Sequence, residues 1–164
     1  MYGSATMRSF SFLLCSCVSL EVAGEAMDRS TLEAIPAGRA ISISALSGFD
    51  FTSVCVLTPY QDRLRSNGID VERANAHLDA IEYASDEGHW AFVLIKRTAI
   101  EVVVFKRSPL LDIMGQAQID GSAALLQGKL PPGFAPSTCA NTPGAALTKF
   151  VYQDRSYIVL GETP

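Results

Sequence analysis

The residues of this chain best placed to do chemistry are two histidines, four cysteines and one tight cluster of charges. The cluster runs Asp86-Glu87-Gly88-His89-Trp90, and Lys106-Arg107 joins it if residues 88–107 fold back as a hairpin. Carboxylates beside an imidazole can support acid–base catalysis when their surroundings separate the pKa values. Adjacent carboxylates exposed in a turn lack that separation. The same six residues, Asp86, Glu87, His89, Trp90, Lys106 and Arg107, also form a charged rim around one large aromatic, which suits recognition of a protein partner. The plainest reading is a set of surface ion pairs, each worth up to about 1 kcal/mol.

Other chemistries lack their residues. A zinc site draws about four ligands from short, characteristic spacings. His77 and His89 are the only histidines, and no Cys-x-x-Cys or His-x-x-x-His occurs. His77 falls at the border of an apolar helical face, and His89 opens a strand. The Gly-x-Ser-x-Gly elbow, the phosphate-binding loop and the dinucleotide fingerprint are missing from the sequence. The expectation is therefore no metal, no cofactor and no catalytic motif. An enzyme built from dispersed residues stays open as the alternative: a hydrolase or transferase using His89, Asp86, Glu87 and Cys139, since catalytic groups converge in space.

The cysteines connect chemistry to compartment. Residues 1–26 have the order of a secretory signal: Arg8, the apolar run Phe10–Leu20, then Gly24 and Ala26 as small residues before a cleavage ahead of Met27. Glu21, Glu25 and the Ser/Cys content of the run depart from that pattern. Leu14-Cys15-Ser16-Cys17 loosely resembles a lipobox, which would make Cys17 a lipidation site and the protein a membrane-anchored lipoprotein. A start at Met7 or Met27 is the third reading, and one at Met27 would leave the protein cytoplasmic. Export leaves Cys55 and Cys139 as an even pair, which pairs in an oxidising compartment. The expected bridge joins a strand to a Pro-rich loop.

These groups need a scaffold. The chain has 164 residues, 48% hydrophobic and 18% charged, with a formal net charge of -4. That composition is globular, and residues 27–164 suffice for one domain with its own core. Without a basic run no nucleic-acid partner is expected. Without an apolar run of roughly 18 residues there is no transmembrane helix.

Period-two alternation marks strands at 39–46 and 49–57, read as a hairpin turning at Ser47-Gly48 and closed by Pro59. After a turn at Asn67-Gly68, Asp70 is the expected N-cap of a helix over 70–84. Val71, Ala74, Leu78 and Ile81 form its buried face. Trp90–Ile95 and Ile100–Phe105 read as adjacent central strands. Ala146–Tyr152 and Ser156–Leu160 form a last hairpin around Asp154-Arg155. Residues 113–144, rich in Gly and Pro, read as a long irregular loop with one helical turn at 123–126.

The fold class is thus α+β in two layers: a largely antiparallel sheet built from hairpins, with one main helix on one face. The functional expectation is a small exported, periplasmic or secreted, non-enzymatic protein-binding domain. Its general form is that of inhibitors and immunity proteins. It would act through a sheet face, a strand edge or the 113–144 loop.

Overall fold

The computed structural model describes residues 27–47, 51–66, 70–126 and 128–164. The leader reading of residues 1–26, with Cys15 and Cys17, lies outside the described residues, as do Gly48, Asn67 and Gly68 of the expected turns. Described elements, in chain order, are α1 (Arg29–Glu33), β1 (Ala40–Ser42), α2 (Ile43–Ser47), β2 (Ser53–Leu57), α3 (Val71–Ala80), β3 (His89–Ile95) and β4 (Ile100–Lys106). Then follow β5 (Asp112–Ile113), α4 (Gln116–Gly121), α5 (Ala123–Leu126), β6 (Ala135–Pro136), β7 (Cys139–Asn141), β8 (Ala145–Tyr152) and β9 (Arg155–Glu162).

The fold is α+β with antiparallel sheets, and it holds two sheets rather than one. The first runs β4-β3-β2-β7, and the second runs β1-β8-β9-β5 with β6 also on β9. Pairing is antiparallel except for β5 on β9. Alternation along each strand sends side chains to opposite faces, and here both faces of both sheets are covered. Val54, Val56, Trp90, Phe92, Leu94 and Phe105 from the first sheet pack with Leu147, Ile158 and Leu160 from the second. The outer face of the first sheet, through Cys55, Leu57, Ala91, Val93 and Ile95, takes α3 through Ala74 and Leu78. On the outer face of the second sheet, Ala146, Phe150 and Val159 meet Ile119, Leu126 and Phe134. Coverage on both faces explains why β3 is buried from Trp90 to Ile95 without a polar interruption.

Several local expectations change. The strands at 39–46 and 49–57 are not a hairpin. β1 pairs with β8 in one sheet, β2 pairs with β3 and β7 in the other, and residues 43–47 between them are helical. The helix is shorter than 70–84, ending at Ala80, and Ile81 is 48% exposed rather than on the buried face. Asp70 makes no side-chain cap; its backbone carbonyl accepts from Ala74 N–H at 2.9 Å and its carboxylate pairs with Arg73. The last hairpin turns one residue earlier than expected, at Gln153-Asp154, both with positive φ (49° and 57°). Two left-handed residues make the turn whose twist matches its flanking strands. Residues 113–144 carry three short strands and two short helices instead of a bare loop, and α5 coincides with the expected helical turn.

Cys55 and Cys139 form a disulfide, and both sit in strands rather than strand and loop. They lie directly opposite across β2 and β7. The flanking bonds, Val56 N–H to Thr138 O and Thr142 N–H to Thr52 O, make theirs a non-hydrogen-bonded pair. Such pairs bring Cα atoms close, and here they are 4.0 Å apart.

Candidate functional site

The β3–β4 hairpin gathers most of the sequence-derived candidates at one end. Its register sets His89 opposite Lys106 and Trp90 opposite Phe105. Beyond the paired strands, Arg107 N–H donates to Gly88 O at 2.8 Å, and the Arg107 guanidinium reaches Glu87 O at 3.0 Å. Asp86 folds back over the turn: its carboxylate accepts from Gly88 N–H at 2.7 Å and lies 2.8 and 3.0 Å from His89 Nδ1. The His89 contact, helped by Gly88 N–H, holds the Asp86 carboxyl below its ordinary range. Both side chains stand in solvent, His89 41% and Asp86 66% exposed.

Tyr60 joins the cluster, with its hydroxyl beside Glu87. Partial desolvation and that carboxylate push the phenol upward. Trp90 does not join it. The indole is fully buried between the sheets, stacked on Phe105 at 4.6 Å and edge-on to Phe92 at 5.2 Å. It faces inward because alternation places it on the same face as Phe92 and Leu94, so it is a core residue and is closed to a partner. Cys139 is also apart: its sulfur is bonded to Cys55, and it offers no thiol.

Arg107 is committed to a residue the sequence did not single out. Asp112 is fully buried and receives Arg107 through two parallel bonds, Nε to Oδ1 at 2.7 Å and Nη2 to Oδ2 at 2.9 Å. Arg155 adds Nη1 to Oδ2 at 3.0 Å, and Ile113 N–H donates to Oδ1 at 2.9 Å. The carboxylate drives the Arg107 guanidinium further up from its ordinary value. A fork of this geometry is strong and directional. It ties the end of the first sheet to β5 and to the β8–β9 turn. Lys106 is therefore the cation of the cluster with no ion pair among the described residues.

The same hairpin leaves a strand edge open. Antiparallel ladders alternate residues whose backbone groups face the neighbour with residues whose groups face away. Arg107 N–H bonds Gly88 O, and Lys96 N–H bonds Ala99 O at 2.9 Å. The odd-numbered residues of β4 thus face β3, and Ile100, Val102, Val104 and Lys106 turn their N–H and C=O groups outward. One outward group is occupied: Lys106 O accepts from Arg29 Nη1 at 2.8 Å. No described residue bonds the outward groups of Ile100, Val102 and Val104.

Five of the seven side chains of β4 are apolar, Glu101 and Lys106 being the exceptions, and Val104 is 50% exposed. Beside the start of β4 lies a hollow of about 330 Å³ lined by Arg73, His77, Thr98, Ala99 and Ile100. The other described outer strands, β1, β5, β6 and β7, have two or three residues each, a common way of blunting edges. β4 has seven.

Compared with protein-family models, with curated proteins and with solved structures, the chain matches none. Among the described residues no group of three or more His, Cys, Asp or Glu could hold a metal ion, and no helix is long and apolar enough to cross a membrane.

Proposed function

We propose that this chain is an exported, non-enzymatic protein-binding domain that recognises its partner by strand addition to the free edge of β4. One observation carries the reading: a seven-residue, mostly apolar edge strand whose outward backbone groups over Ile100–Val104 no described residue bonds. Such an edge accepts an extended segment through main-chain hydrogen bonds, and flanking pockets select alternate side chains of that segment. The hollow at Arg73, His77 and Ile100 is such a pocket at one end. Asp86, Glu87, His89 and Lys106 form a charged rim at the other. Export is supported by the basic-apolar-small order of residues 8–26 and by the disulfide, which suits an oxidising compartment.

The competing reading is a hydrolase or transferase assembled from His89, Asp86, Glu87 and Cys139. The Asp86–His89 hydrogen bond favours it; the bonding of the Cys139 sulfur weighs against it.

The Val104→Pro variant separates the two. Proline removes an outward N–H that no described residue uses, so an edge position tolerates it. It also blocks a strand from docking there. Bait protein should retain a stoichiometric partner from the native envelope or secreted fraction, and V104P should lose it with its melting temperature unchanged. Equal capture by both baits would overturn strand addition. Failure of native bait to retain any stoichiometric partner would count against the binding reading as a whole.

A further inference from the structure

A second feature, away from β4, points to a small-molecule site. After β2 the chain runs through Thr58–Ser66, and this segment faces the start of α4 and the Ser137–Thr138 stretch before β7. Between them lies a cleft of about 360 Å³, within the usual size range of ligand sites. A smaller hollow of about 60 Å³ adjoins it and shares Val56, Gln61 and Ala117, reaching inward to Met114 and Leu160.

The walls are held from within the fold. The Asn75 side chain of α3 pins the first wall twice: Leu64 N–H donates to its Oδ1 at 2.9 Å, and its Nδ2 donates to Leu64 O at 3.1 Å. Gln61 Oε1 accepts from Thr58 N–H at 3.0 Å, leaving its amide NH₂ as a donor. On the opposite wall, buried Ile119 anchors α4. Gly115 lets the walls meet, because a Cβ there would stand 2.8 Å from Thr58 Cγ2.

The chemistry of the lining is one-sided. Buried Val56 and Leu64 give the cleft an apolar floor, exposed Ala117 flanks them, and the rest of the lining carries amides, hydroxyls and the guanidinium groups of Arg63 and Arg65. In a chain with a net charge of -4, none of the described residues lining either hollow is an aspartate or glutamate. Arg63 shares its charge with Asp79 at 3.0 Å. Arg65 makes no ion pair among the described residues. We infer that this cleft binds a small amphipathic anion, its apolar body on Val56, Leu64 and Ala117 and its anionic head on Arg65. Guanidinium contacts to a carboxylate, sulfonate or phosphate head are charge-assisted and supply the selectivity, and the floor supplies burial of the body.

The test uses anilinonaphthalene sulfonate as the probe, followed by fluorescence on the native chain, Arg65→Gln and Ala117→Trp. Both positions are exposed, so both variants should melt as the native chain does. The native chain should bind one dye saturably, and octanoate should displace it where neutral octanol at equal concentration does not. R65Q should weaken the dye about tenfold, the scale of one charge-assisted contact, and A117W should abolish binding by filling the cleft. Absence of saturable binding would overturn the site, as would dye binding unaffected by A117W. Equal displacement by octanol, or unchanged affinity in R65Q, would overturn its selectivity for anions.

Discussion

Replacing Asp112 by alanine removes the one carboxylate on which two arginines and a backbone amide converge. The loss can be worked from the geometry. Arg107 makes two bonds to it, at 2.7 and 2.9 Å, and Arg155 makes one at 3.0 Å. Ile113 N–H, at 2.9 Å, is left without that acceptor. Removing one partner of a buried ion pair costs about 3–5 kcal/mol, because the remaining charge stays buried. Here the arginine side chains are 30% and 35% exposed and can turn toward water, so the lower end applies, about 3 kcal/mol.

For a chain of this size about 3 kcal/mol lowers Tm by roughly 6–12 °C. Thermal unfolding followed by circular dichroism reads this directly. Asp112→Asn keeps the shape and one acceptor, and should fall between the two. Amide exchange should quicken first at Ile113 and the β8–β9 turn, where Arg155 is held. A loss under about 1 kcal/mol for D112A, the scale of an exposed pair, would refute the claim that this carboxylate fastens the two sheets together.

Replacing both Cys55 and Cys139 by alanine opens a link spanning 84 residues; loop entropy alone puts the loss near 4.5 kcal/mol, so equal denaturant midpoints for native and variant would contradict it. Asp86 is held below its ordinary value near 3.8, chiefly by His89. A carboxyl lowered in the folded state contributes stability that is present above that ordinary value and is lost as pH falls through the folded one. In His89→Gln the Asp86 carboxyl, followed by NMR titration, should move up toward 3.8, and an unmoved midpoint would show that the imidazole does not set it.

Much of the scaffold was legible because its signals are local. The spacing of Ala74 and Leu78 marks a helix face whatever the helix packs on. The apolar runs at 90–95 and 100–105 mark strands, and the short connection between them leaves a hairpin as their simplest arrangement; only β3 is central as expected, since β4 ends its sheet. What alternation does not encode is which strand is the neighbour. β1 shows the period of a strand, yet its partner β8 lies about a hundred residues away in sequence, so the division into two sheets was hidden. The same limit hid the fork on Asp112, since Arg155 is 43 residues distant.

Trp90 illustrates a different loss. From Trp90 to Ile95 both alternating sets, Trp90-Phe92-Leu94 and Ala91-Val93-Ile95, are apolar, so the run held little contrast to show which way the indole faces. At the candidate site, the clustering of Asp86, Glu87, His89, Lys106 and Arg107 followed from the hairpin register. The open edge did not, because an edge is defined by the strand that is missing beside it.

Amide hydrogen exchange along β4, in the free chain and in the complex recovered with its partner, tests strand addition most directly. In the free chain the amides of Ile100, Val102 and Val104 should exchange fast, while those of Glu101, Val103 and Phe105, bonded to β3, stay protected. In the complex the first three should become protected as well, and V104P should fail to form that complex. Fast exchange at Ile100, Val102 and Val104 in the bound state would contradict the account, because the partner would then be held elsewhere.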